Sequence, residues 1–259
     1  MRGRRALRRI GIAAGVALLL CAVAAGGFVA WAQNSFPAEP APLADAERTP
    51  GVRVDIGSRA TVVAPTDAPA RVGVVFYPGA RVEPEAYAAV WAPIVARSGV
   101  RVVIPDMPLN LALFGRGRAG ELIDGDDTVE RWYVGGHSMG GAMAAFYAGG
   151  EPRGSLAGVI LWGSYATEGA GLAQREDLRV LSVSGGRDGL SDPADTEANR
   201  PHLPADATTR TISGMNHAQF GAYGPQPGDG ASEISDAEAH RALGDVVADF
   251  LTEPVGTDG

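Results

Sequence analysis

The chain has 259 residues, 46% of them hydrophobic and 20% charged, and a formal net charge of −8. That balance excludes extended disorder over most of the length and suits one globular domain with a sizeable core. The acidic body excludes nucleic acid as a partner, because neutralising phosphates needs a basic face.

The chain opens with "MRGRRALRRI", which holds arginines and no acid, and continues into "IGIAAGVALLLCAVAAGGFVAWA", residues 10–32, which holds no charge. At 1.5 Å per residue that apolar run is long enough to cross a bilayer core of about 30 Å. Arginines ahead of it predict a cytoplasmic N-terminus and a folded body outside the cytoplasm. The small-residue pattern before Gln33 also fits a cleaved signal peptide, although such a peptide usually has an apolar region of only about 7–15 residues. Residues 1–33 are therefore read as a membrane anchor or a signal peptide, giving a single-pass membrane protein or a secreted one. The only cysteine, Cys21, lies inside this run, so the rest of the chain contains no thiol.

Residues 34–51, "NSFPAEPAPLADAERTPG", are rich in Pro, Ala and charge and read as a linker. From residue 52 to 259 the pattern is that of one α/β domain. "VRVDIG" and "ATVVAP" read as an antiparallel pair, and "RVGVVFYPG" (71–79) as a strand buried on both faces. A helical stretch, "PEAYAAVWAPIVARSG", has Pro84 near its start and Gly99 past its end. Strands follow at 100–105, 131–138, 156–165, 178–186 and 209–214, and "SDAEAHRALGDVVADFL" closes the chain as an amphipathic helix. Alternation of this kind predicts a mostly parallel sheet with helices on both faces. The interval between the strands at 156 and 178 is too short for a large lid.

Between the strand at 131 and the helical "MGGAMAAFYAGG" stands "VGGHSMGG". Glycine inside a helix costs about 1 kcal/mol relative to alanine, so this crowding of glycines needs a reason. Gly136-His137-Ser138-Met139-Gly140 has the G-x-S-x-G form of a nucleophile elbow, in which a sharp strand-to-helix turn lifts the serine above the sheet. The residues two before and two after the serine then approach too closely to carry a Cβ. Ser138 is the candidate nucleophile, and the Met139 N–H at the start of the helix is a candidate oxyanion donor.

A serine nucleophile needs a base oriented by a third group. Of the histidines, His217 lies in "SGMNHAQFG" just after the last strand, where a base belongs; His137 reads as a packed imidazole turned away from the site, and His202 and His240 as surface residues. Asp188, in "GGRDGLSDP" after the strand at 178, is the candidate acid. Asp192 is a weaker competitor that caps the helix after Pro193. The cluster Asp124, Asp126 and Asp127 lacks a matching metal-ligand set and reads as a solvated acidic turn. In "FYPGARVEPEAY", Gly79 lets backbone approach and the Ala80 N–H is the second oxyanion candidate. Arg116 and Arg118 read as a solvated loop, with capture of a carboxylate-bearing substrate as the alternative. Gln219 and Tyr223 read as rigidifying the base loop or as lining the pocket.

On the segments "VVFYPGARVEPEAYA", "VVIPDMPLNLALF", "VGGHSMGGAMAA", "SGGRDGLSDP" and "GMNHAQFGAYGPQPGDG", the chain from about residue 52 onward resembles the α/β-hydrolase superfamily, in particular its compact, lidless branch with the dienelactone hydrolase-like enzymes. The resemblance implies the α/β-hydrolase fold, with Ser138, Asp188 and His217 as nucleophile, acid and base. Dienelactone hydrolases proper use cysteine, so serine points instead to ordinary esters. Pro78 departs from the histidine many lipases carry there; the position needs only a backbone N–H. The implied activity is a cofactor-free, metal-free serine hydrolase acting on small-molecule or lipid-like carboxylic esters. An acyltransferase or amidase acting on cell-envelope material, or a non-catalytic binding protein of the same fold, are the alternatives.

Overall fold

Eight strands form a single sheet in the order β1-β2-β4-β3-β5-β6-β7-β8 in the computed structural model, which describes residues 2–253. Met1 and residues 254–259, the tail of the range expected for the domain, lie outside the described residues. The strands are β1 (Val52–Ile56), β2 (Ala60–Pro65), β3 (Val72–Tyr77), β4 (Arg101–Pro105), β5 (Arg131–His137), β6 (Gly158–Trp162), β7 (Arg179–Gly185) and β8 (Thr208–Ile212). β1 and β2 pair antiparallel, β2 joins β4 antiparallel, and every later pairing is parallel. The expected strands all form; β2 keeps its expected bounds, β8 begins one residue earlier and ends two earlier than expected, and the others are trimmed at one or both ends.

Helices α3 (Ala88–Ser98) and α7 (Asp236–Thr252) cover one face, and α5 (Met139–Gly150) the other. This is why β3 and β6 are apolar without alternation. Along β3, Val74 and Phe76 enter the core under α3 and α7, while Val75 and Tyr77 enter the core under α5. The first core is filled by stacked aromatics: Trp91 of α3 lies over Trp162 of β6 with ring centroids 4.8 Å apart, and Phe76 packs against both. Helix α3 stops at Gly99, whose φ of 69° closes a left-handed C-cap. Helix α7 starts on a capping box between Ser235 and Glu238. Between β6 and β7 the described chain holds only two short 3-10 turns, Glu168–Ala170 and Leu172–Gln174.

Two features differ from the sequence reading. Residues 34–51 are built into the domain instead of hanging free. Phe36 bridges to Val82, the Glu39 N–H donates to the Ala222 carbonyl (2.8 Å), and α2 (Pro40–Glu47) packs on α3 through Leu43 and Ala46. Proline misled the linker reading: in the first turn of α2 its missing N–H costs nothing. A short helix, α4 (Arg118–Asp124), forms where a loop was expected. At the N-terminus, α1 (Arg2–Gln33) is one continuous helix, exposed from Ala14 to Trp31. It is the only helix among the described residues long and apolar enough to cross a membrane.

Candidate active site

Strand β5 delivers Ser138 at the carboxyl end of the sheet, the edge where ligands bind in open parallel sheets. Its backbone adopts φ 54° and ψ −124°, a conformation that costs a non-glycine residue about 1–3 kcal/mol. The surroundings hold it there. The Ser138 N–H donates to the Trp162 carbonyl (3.0 Å), and its carbonyl accepts from the Ser164 hydroxyl (2.8 Å) and the Ala142 N–H (3.2 Å). The glycines now have their reason. A Cβ on Gly136 would run into the Gly140 backbone, and a Cβ on Gly140 would run into the carbonyl oxygens of Tyr77 and Pro78.

His217 and Asp188 come from two separate loops and meet. His217 Nδ1 donates to Asp188 Oδ2 at 2.8 Å with both side chains buried, and the other Asp188 oxygen accepts the N–H groups of Leu190 (2.9 Å) and Ser191 (2.7 Å). Both carboxylate oxygens are thus committed, and the imidazole is held with its proton on Nδ1. His217 Nε2 is left without a hydrogen-bond partner among the described residues. Asp192 caps α6 (Pro193–Asn199) through the Ala194 N–H (2.7 Å), as expected of the competitor.

What places these two loops was missed. Asp229 accepts four backbone N–H groups: Gly189 (3.1 Å) and Gly230 (2.7 Å), with His217 (3.1 Å) and Ala218 (2.8 Å). One carboxylate therefore ties the acid loop to the base loop. Nothing in the segment "GPQPGDG" marks it beyond a turn-forming Asp-Gly. Gln219 belongs to the same scaffold: its oxygen accepts from the Asn216 N–H, and its amide donates to the Ile234 carbonyl and to Asp236. Tyr223 is buried against Phe36 and His137, with its hydroxyl on Gln226. Both therefore brace the loop and do not line the cleft.

His137 is packed, as expected, but it is not turned away. Its ring lies 4.4 Å from that of His217. The Tyr87 hydroxyl accepts from the Gly79 N–H (2.8 Å) and is hydrogen-bonded to His137 Nδ1 (3.0 Å). Burial first, and the neighbouring His217 second, hold the His137 pKa well below its ordinary 6.5. Burial also raises the Tyr87 phenol. Gly79 lacks a side chain because one would meet the His137 ring. Its N–H is used up, while the N–H groups of Ala80 and Met139 donate to nothing else among the described residues. His240 is a further correction: its Nε2 sits 3.3 Å from the Gly221 carbonyl in a half-buried position, and burial lowers its pKa.

A cleft of about 310 Å³ opens at the start of α5, lined by Ser138, Met139, Ala142, Gly163, Tyr165 and Leu190 among others. Gly163, at φ 48°, is where a Cβ would press on Asp188 and Phe220. Arg116 and Arg118 do not line the cleft; Arg118 pairs with Glu121. Asp126 accepts from Thr128 and pairs with Arg101.

Residues 73–241 match the family model described as alpha/beta hydrolase family. No curated protein matches the chain by sequence. Among solved structures, an esterase of Pyrobaculum calidifontis is 18% identical with a TM-score of 0.58, covering 81% of this chain and 88% of that one. EstE1, a thermophilic carboxylesterase cloned from a metagenomic library, is 17% identical with a TM-score of 0.57, covering 82% and 93%. Est1E of Butyrivibrio proteoclasticus is 15% identical with a TM-score of 0.55, covering 78% and 100%.

Proposed function

The chain belongs to the alpha/beta hydrolase family, and on that premise we propose that it is a serine hydrolase of carboxylic esters, held at a membrane by α1 with its catalytic domain outside the cytoplasm. The observation that carries the reading is the 2.8 Å bond from His217 Nδ1 to a fully committed Asp188, which leaves His217 Nε2 without a partner among the described residues, in a fold whose one G-x-S-x-G turn holds Ser138 at positive φ. The solved structures named above as esterases support the substrate class.

In this mechanism His217 Nε2 takes the Ser138 hydroxyl proton as Oγ adds to the ester carbonyl carbon. The negative charge that develops on the carbonyl oxygen is met by the N–H groups of Met139 and Ala80, both free of other partners. Asp188 holds the imidazole in the required tautomer and stabilises the imidazolium. That imidazolium then protonates the departing alkoxide, leaving an acyl group on Ser138. Water, deprotonated by the same imidazole, releases the acid and restores the serine. No residue in this sequence of steps requires a metal or an organic cofactor.

The test needs no knowledge of the natural ester. Full-length protein in detergent is treated with a fluorophosphonate, and the adduct is located by peptide mass spectrometry. The expected result is modification of Ser138 that is lost in His217→Ala. A folded protein that takes no adduct at Ser138 overturns the reading.

A further inference from the structure

The C-terminal end of α1 does not leave the domain freely; it is seated on the loop that carries Ala80. Asn110 Nδ2 donates to the Ala32 carbonyl (3.0 Å), and the Arg81 guanidinium donates to the Asn34 carbonyl. These bonds satisfy carbonyls that a helix end otherwise leaves open, with a cation at the negative end of the helix dipole. Ala32 is fully buried, and Arg81 stacks over Trp31 (4.9 Å) and Phe36 (5.0 Å). The Arg81 N–H donates to the Asn110 carbonyl (2.7 Å), which joins this seat to the turn 108–110. Arg81, Leu109 and Asn110 all have positive φ, so the seat is held in a strained conformation that only a fixed surrounding maintains.

Beside the seat, the 3-10 turn Ala112–Phe114 packs against α5, the helix that begins at the nucleophile. It turns its apolar side chains outward: Leu113 is 57% exposed and Phe114 51%. Phe114 meets Phe28 of α1 edge to face, with centroids 6.3 Å apart. At 1.5 Å rise per residue, Phe28 lies about 7 Å back along the helix from Gln33. If α1 spans the bilayer, a side chain level with Phe28 lies at its apolar boundary, with Trp31 in the interfacial zone that tryptophan favours. The exposed Arg116 follows two residues later, suited to anionic headgroups.

We propose that Leu113 and Phe114 enter the outer leaflet of the membrane that α1 spans, holding the mouth of the Ser138 cleft against the bilayer so that membrane-borne, lipid-like esters are its substrates. The occupant follows from continuity. The exposed turn is the direct lateral extension of the apolar helix, on the same carboxyl edge of the sheet as the site. Leu190, itself a cleft residue and 43% exposed, adds an apolar rim at the mouth. The substrate part of this inference rests on the serine-hydrolase reading above; the docking part does not.

The two parts are tested separately in the full-length chain, reconstituted in mixed phosphatidylcholine–phosphatidylglycerol vesicles. In a Cys21→Ser background, Leu113→Cys is labelled with bimane. Docking predicts quenching by nitroxide-bearing lipids and protection from aqueous iodide. Quenching by iodide alone overturns it, and protection from both quenchers overturns it in favour of a second copy of the chain over the turn. For the substrate, hydrolysis of a short water-soluble ester is compared with that of a fluorogenic diacylglycerol in the same vesicles. Leu113→Asp with Phe114→Asp should lower the ratio of bilayer to soluble turnover by about tenfold or more. An unchanged ratio overturns the substrate claim. Lipid quenching with neither ester hydrolysed supports docking and overturns the ester reading.

Discussion

Ser138 and the His217–Asp188 pair, the candidate catalytic residues, are positioned by different means. Ser138 is held mainly by backbone close at hand, through the Trp162 carbonyl and the Ala142 N–H, with the Ser164 hydroxyl as the one side chain on its carbonyl, while Gly140 sits against the Tyr77 carbonyl. The loops bearing His217 and Asp188 are held together by a side chain, the Asp229 carboxylate, which gathers N–H groups from three stretches of chain, while Asp188 itself also accepts the Leu190 and Ser191 N–H groups. Backbone in a sheet is rigid and tolerates no Cβ at the contact, so the elbow leaves glycines in the sequence. A carboxylate in a loop leaves only one more aspartate. The elbow is therefore conspicuous and the loop scaffold is not, although the proposed mechanism needs both.

Ser138→Gly breaks the elbow side of the comparison most severely. It should lower ester turnover on the order of a million-fold, as for loss of a triad serine. It should also relieve the strain at φ 54°, so that urea unfolding reports a gain of about 1 kcal/mol. A loss of turnover with no gain in stability would mean that the elbow is not strained.

On the other side, Asp188→Asn should leave the fold and the elbow intact yet cost roughly ten-thousandfold in kcat/KM, because the imidazole then settles in the wrong tautomer. Asp229→Asn sharpens the contrast. It touches no reacting group and leaves Ser138 open to the fluorophosphonate, but it weakens the tie between the two loops. The expected cost is about tenfold to a hundredfold in kcat/KM and about 1–3 kcal/mol in stability. Unaltered kinetics would remove Asp229 from the account of how the pair is aligned.

The smallest effect concerns His137. Its pKa is lowered on folding by burial, so below about 6.5 the unfolded chain binds a proton that the folded chain refuses. Stability contributed this way is complete above 6.5 and is lost as pH falls toward the folded value, by up to about 1.4 kcal/mol per pH unit. The half-buried His240 acts in the same direction. Urea midpoints measured from about pH 7 to pH 5 should therefore decline in the parent and decline less steeply in His137→Asn. Equal slopes would show that His137 is not the source.

Local patterns carried much of the fold. The strand boundaries, the glycine-flanked serine, the Pro and Gly at either end of the helix after β3, and the apolar N-terminal run each express a preference of a few adjacent residues, and each was legible. The proline-rich stretch 34–51 was not, because the sites that receive Phe36 and α2 lie on distant segments at Val82, α3 and Ala222. The same holds for His137, whose neighbours Tyr87 and His217 are far from it in the chain.

By itself the sequence determined an α/β sheet and a sharp glycine-flanked turn at Ser138, and it singled out Asp188 and His217 as candidates, because these follow from side-chain period, backbone sterics and chain order. Only the tertiary structure decided that Asp229 unites the acid and base loops, that His137 lies against His217, and that the end of α1 is clamped to the loop bearing Ala80. Each of these is a contact between segments whose separation no local propensity encodes, and it exists only once the sheet has brought their ends to one edge.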